Sequence, residues 1–199
     1  MRRMRISWGE RLADVVPWAL ASLILACVVH IGSILAMPRL APRDAYIRLA
    51  TYIGAGGVRP LPAVEPGQEI LPFLDPAFAY AACGYDLAQG PLRLRASVTA
   101  GALMSMSFRS RRGQLYYSLT DRAASRGKID IVVLTAAQLA QAEAQDSDDE
   151  PIQELRLLAP ELQGFVLLRS LAGAHSELPL AQARLAAVSC GADAPAAPQ

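Results

Sequence analysis

The chain has 199 residues, of which 53% are hydrophobic and 19% charged, a balance that excludes a disordered polypeptide and suits one folded domain with an appendage. Its 19 basic and 18 acidic residues leave a formal charge of +1, which removes the electrostatic case for a nucleic-acid binder. Lys128 is the sole lysine, and two histidines and three cysteines leave little material for an imidazole-based active site or a metal centre.

The first element is a membrane helix. Residues 15–38, from Val15 to Pro38, carry no charge. A helix of that length spans roughly 36 Å, enough for the ~30 Å hydrocarbon core of a bilayer. Pro17 suits a first helical turn and Pro38 a stop. Trp8 and Trp18 suit the headgroup region. The competing reading is a cleaved signal peptide led by Arg2, Arg3 and Arg5, but Pro38 falls where cleavage would occur. An uncleaved signal anchor fits better, with residues 1–14 inside and the larger part exported across an inner membrane into the periplasm. Arg39, Arg43 and Arg48 behind the span make the charge bias slight. Small residues such as Gly32 and Ser33 would let another helix approach or are ordinary membrane-helix composition, and His30, ionisable within the span, is either functional or a neutral ring bonded to a nearby carbonyl or near the outer interface.

Residues 39–70 read as a juxtamembrane helix and an extended connector. Tyr46, Leu49 and Ile53 share a helical face, with Gly54, Gly56 and Gly57 behind them. Pro60, Pro62 and Pro66 mark the connector. From residue 71 the period switches to two, the mark of strands buried on one face. Phe78, Tyr80 and Ala82 alternate with small residues. Leu92, Leu94 and Ala96 alternate with Arg93, Arg95 and Ser97. Met104, Met106 and Phe108 form a third such set, and Leu115, Tyr117 and Leu119 a fourth, with turn residues between them. Ile129–Leu134 is apolar enough for a central strand. Thr135 and Gln138 make a capping box for a helix over about 136–145. An acidic loop, 146–150, follows, then strands near 153–158 and 164–170. The final helix, near 180–189, carries a stripe of Leu180, Arg184, Leu185 and Val188. Residues 191–199 read as a loose tail. The fold class expected is mainly β with short helices: an antiparallel, sandwich-like domain over 71–190 behind one N-terminal transmembrane helix.

The stretch from Asp75-Pro-Ala-Phe through Cys83-Gly-Tyr-Asp86-Leu to Gly90-Pro91, with Tyr117-Ser-Leu-Thr-Asp121-Arg122, resembles small proteobacterial membrane proteins of the family called "domain of unknown function 1254". The resemblance runs from Trp18 to Cys190. It implies a β-rich domain at the cell envelope and no established reaction, so it carries over no catalytic residue. The chain holds only the short module of larger relatives.

Cys83 and Cys190 are the thiols outside the span. In an oxidising periplasm they would pair and tie the first strand to the C-terminal helix; the alternative is two buried free thiols. The acidic loop lacks the glycine turn and ligand spacing of a calcium site. His175, Ser176 and Glu177 are sequence neighbours and do not make a spatial triad. Asp75, Asp86, Asp121 and Arg122 fall at strand ends, where they serve either a cleft or turn amides. No catalytic, cofactor-binding or metal-binding set is assigned. Two functions from different classes remain. One is a non-catalytic envelope module that binds another protein. The other is an envelope enzyme or ligand-binding accessory acting on glycans or a small molecule, with Asp86, Asp121 and Tyr117 around a polar cleft. A third use of the chain makes the membrane helix itself the contact surface.

Overall fold

The structure is a computed structural model that describes residues 8–40, 45–53, 56–65, 67, 70–99, 101–146 and 154–192. The chain divides into two compact units, Met1–Pro42 and Arg43–Gln199. Most of the acidic loop and of the C-terminal tail, at 147–150 and 193–199, lies outside the described residues, as do residues 1–7.

The first unit is helix α1, Trp8–Leu40, which is longer than the uncharged run. Its segment Val15–Met37 has a mean hydropathy of 2.3 and is long and apolar enough to cross a membrane. Pro17 sits inside this helix, not in its first turn. Its missing N–H leaves the helical bond to the carbonyl of Ala13 unmade. Ser22 and Ser33 turn their hydroxyls inward and donate to the carbonyls of Ala19 and His30.

The second unit is mainly β. It opens with helix α2, Ala45–Ala50, and the two-residue strand β1, Arg59–Pro60. Strands β2 (Phe78–Asp86), β3 (Leu92–Ser97), β4 (Met104–Ser110), β5 (Leu115–Thr120) and β6 (Lys128–Leu134) follow. Helix α3 (Ala136–Glu143), β7 (Leu155–Leu158), β8 (Gln163–Leu171), helix α4 (Leu178–Ala186) and β9 (Ser189–Ala192) complete it. Two sheets form, in the orders β1-β2-β8-β4-β5 and β7-β6-β3-β9. Every pairing is antiparallel except β6 with β7, which α3 joins as a crossover. Thr135 and Gln138 do build the capping box that starts α3.

The period-two pattern places Leu92, Leu94, Met104, Met106, Phe108, Ile129 and Ile131 between the sheets. It misleads at β2. Residues 79–85 are all buried there, because Ala79, Ala81 and Cys83 face the inter-sheet core while Tyr80 and Ala82 face a second one. That second core is built on the outer side of the five-stranded sheet, where Leu49 and Ile53 of the α2 segment and Leu61 and Leu71 of the connector pack on Phe165. In α4 the buried residues are Ala181 and Leu185, whereas Leu180 is exposed. The chain also does not stay helical to Ser189. Ser189–Ala192 pairs with β3, so residues 191–192 belong to a strand rather than to the tail.

Candidate functional site

Cys83 and Cys190 are bonded, with Cα atoms 6.5 Å apart. Cys83 lies on β2 of one sheet and Cys190 on β9 of the other, so the bridge staples the two sheets of the sandwich together. It joins strand to strand, since Cys190 sits beyond the final helix.

Alternate residues of β4 and β8 point away from the inter-sheet core. On the β1-β2-β8 half of the sheet, that outer face is covered by the α2 segment and the connector. On the β4-β5 half no described segment of the second unit covers the face fully, and a groove of about 950 Å³ lies there. Its floor has Ser105 and Ser107 from β4 and Ser118 and Thr120 from β5, paired strand to strand as Ser105 with Thr120 and Ser107 with Ser118. Leu71, Phe73 and Leu74 border it on the covered side, and Leu115 and Tyr117 on the open side. Phe73 is wholly exposed and has a φ of 62°, an uncommon conformation for a bulky side chain.

Three guanidinium groups line the groove: Arg109 of β4, Arg169 of β8, and Arg122 in the short turn after β5. Arg109 donates from Nη1 to the carbonyl of Gly113 at 2.9 Å, and its buried Nε has no partner. Arg169 donates to Ser105 Oγ at 2.6 Å and lies over the Phe78 ring. Arg122 is exposed. Among the described residues, no Asp or Glu lines the groove and none pairs with these three arginines.

The outer face of the other sheet is the opposite case. Arg93 pairs with Asp130 at 2.8 Å and Glu154 at 2.9 Å, and Arg95 with Asp130 at 3.2 Å. Arg156 pairs with Asp146 at 2.6 Å and Glu154 at 3.1 Å. Burial works against ionisation of Asp130, but its bonds to Arg93 and Arg95 outweigh that and hold its carboxyl below the ordinary value. Arg156 is held protonated chiefly by its bond to Asp146.

The structure does not gather Asp86, Asp121 and Tyr117. Asp86 ends β2, where it accepts from Ala88 N and Gln163 Nε2; the Gln163 bond, then the Ala88 bond, lower its pKa. It lines a separate pocket of about 300 Å³ with Gln163 and Tyr46. Asp121 follows Thr120, which aligns through Ser105 and Arg169 with Tyr80 at the other end of β2. The two aspartates thus stand at opposite ends of the sheet, about 20 Å apart along the strands. Tyr117 alone lines the groove. Asp75, like Asp86, serves a turn amide, accepting from Ala77 N at 2.9 Å. His175–Glu177 is an exposed short turn in which Glu177 accepts from Gly173 N. In the sequence Arg109 reads only as the polar half of an alternating strand, and Arg169 only as a position in the strand over 164–170. Their meeting depends on β8 lying beside β4, a pairing of residues far apart in the chain.

No protein-family model matches the chain, and no curated protein matches it. Among solved structures, the fold is similar to that of the VPA0106 protein from Vibrio parahaemolyticus. The TM-score is 0.50 at 9% identity, with 78% of this chain and 37% of that chain covered. This likeness concerns fold alone. An uncharacterized protein from Burkholderia cenocepacia aligns over 58% of this chain and 32% of its own at 16% identity, with a TM-score of 0.39, too low for a shared fold to be read from it. The chain spans about a third of the length of the solved structures it matches.

Proposed function

We propose that this is a single-pass protein of the bacterial inner membrane whose periplasmic β-domain is a non-catalytic module that binds another envelope protein, and that it belongs with the "domain of unknown function 1254" proteins it resembles. α1 anchors the chain, and the disulfide suits an oxidising compartment on the far side. The observation that carries the binding role is the groove. Among the described residues of the second unit, the connector covers one half of a sheet face and the other half is open, beside β5, which has one edge without a strand partner. An open polar groove flanked by exposed Leu115, Tyr117 and Phe73 is suited to docking a partner.

The test keeps the full chain in its own membrane. A photo-crosslinking amino acid is placed at Ser118 in the groove, or at Ser97 on the other sheet as control. A discrete protein adduct from position 118 alone is the expected result. No adduct, or equal adducts from both positions, counts against the binding role. A periplasm-dependent reporter fused after Gln199 tests the compartment separately, and an inactive reporter would overturn the exported orientation.

A further inference from the structure

We infer that the groove takes an acidic, extended peptide segment of the partner, with carboxylates four residues apart meeting the two ends of the groove. This rests on the binding role just proposed and names the chemistry of the occupant. The first argument is charge. Three guanidiniums line the groove without a carboxylate among the described residues, while every ion pair of the opposite sheet's arginines is made within the chain. Arg109 and Arg169 donate hydrogen bonds to a neutral carbonyl and a hydroxyl, so the positive charge of each is not neutralised by a described carboxylate.

The second argument is spacing. Arg109 pairs across to Phe165, while Ser105, bonded to Arg169, lies four residues back along β4. Arg122 stands at the Arg169 end, after Thr120. The strand positions that carry the cationic groups therefore lie about 13 Å apart along the strand direction. One phosphate or carboxylate does not span that distance. In an extended peptide, residues i and i+4 lie on one face about 13 Å apart, so two carboxylates reach both ends. The peptide backbone between them has donors and acceptors for the hydroxyls of Ser105, Ser107, Ser118 and Thr120 on the floor.

The experiment uses the full chain in zwitterionic phosphatidylcholine nanodiscs and a fluorescent peptide, Glu-Val-Glu-Val-Glu, read by anisotropy. Saturable binding is expected, weakening at least tenfold between 50 and 500 mM salt as charge pairs at the surface are screened. The Lys-Val-Lys-Val-Lys peptide should not bind. Arg122→Glu, an exposed change that leaves every described hydrogen bond intact, should weaken binding tenfold or more; Arg169→Gln should do the same, with circular dichroism reporting its fold. Binding of both peptides alike, or unchanged binding by Arg122→Glu, overturns the inference. Saturable binding of an oligogalacturonate with no binding of the peptide also overturns it, in favour of an acidic glycan. A position-118 adduct that survives Arg122→Glu and an excess of the acidic peptide would leave the binding role standing and remove this inference alone.

Discussion

Gly164 shows how a single hydrogen can decide a strand. It lies at the start of β8, paired with Tyr85 on one side and Ser110 on the other, and a Cβ there would run into the carbonyl oxygen of Arg109 and the ring of Tyr85. Overpacking of this kind costs typically 1–3 kcal/mol, so Gly164→Ala should lower stability by about that amount in denaturant titration. The same corner holds the Tyr85 and Tyr116 hydroxyls 2.9 Å apart. Burial raises both pKa values, that of Tyr85 to about 12 from 10. A pKa raised by folding means that the neutral form is favoured in the native state. The associated stability is complete below pH 10 and is lost as pH climbs toward 12. Tyr85→Phe should therefore flatten the fall in melting temperature over that alkaline window, and an unchanged slope would refute the assignment. Neither residue stood out in the sequence. The need for glycine at 164 arises from β2 and β4, segments remote in the chain, and single-strand periodicity carries no record of them.

At the scale of elements, periodicity and capping chemistry reveal what is local. The Thr135–Gln138 box is complete within four residues, so it reads the same in sequence and structure. The alternating strands β3 and β4 likewise present their apolar halves to the inter-sheet core. β2 reads poorly because a strand with a core on each side has no polar half to mark its orientation. β5 reads poorly for the opposite reason. As an edge strand it keeps only Leu119 buried, although Leu115 and Tyr117 fit the apolar phase. The bridge between β2 and β9 is the element-scale device that holds the short β9 to the rest, across a separation of 107 residues. Closing a loop of this order restricts the unfolded chain and contributes about 2–5 kcal/mol. Replacing Cys83 and Cys190 together by Ser should lower stability by that amount, measured in the same titration. A change below ~1 kcal/mol would mean that strand pairing alone holds β9.

At the scale of the whole molecule the two units treat their apolar residues differently. The second unit buries many of its apolar residues in two cores, whereas the helix segment Val15–Met37 has no core of its own. Exposed leucine, isoleucine and valine over some six helical turns are unfavourable in water, and the segment is long and apolar enough for a bilayer to take it up. The same composition describes an uncleaved anchor and a signal sequence, so the deciding measurement follows the intact chain. Full-length protein should stay with vesicles washed in alkaline carbonate, and a chain starting at Arg43 should be released. A vesicle-bound product is expected to retain residues 1–14, which an N-terminal tag reports; loss of the tag in mature cells would mean cleavage. Arginine at a helix centre opposes insertion by ~2.5–3.5 kcal/mol, so Ile24→Arg with Leu25→Arg should oppose it by roughly 5–7 kcal/mol if the two act independently. That double variant should shift the full-length chain into the carbonate-soluble fraction. If it remains in the pellet, hydrocarbon burial of α1 is not what holds the protein to the membrane.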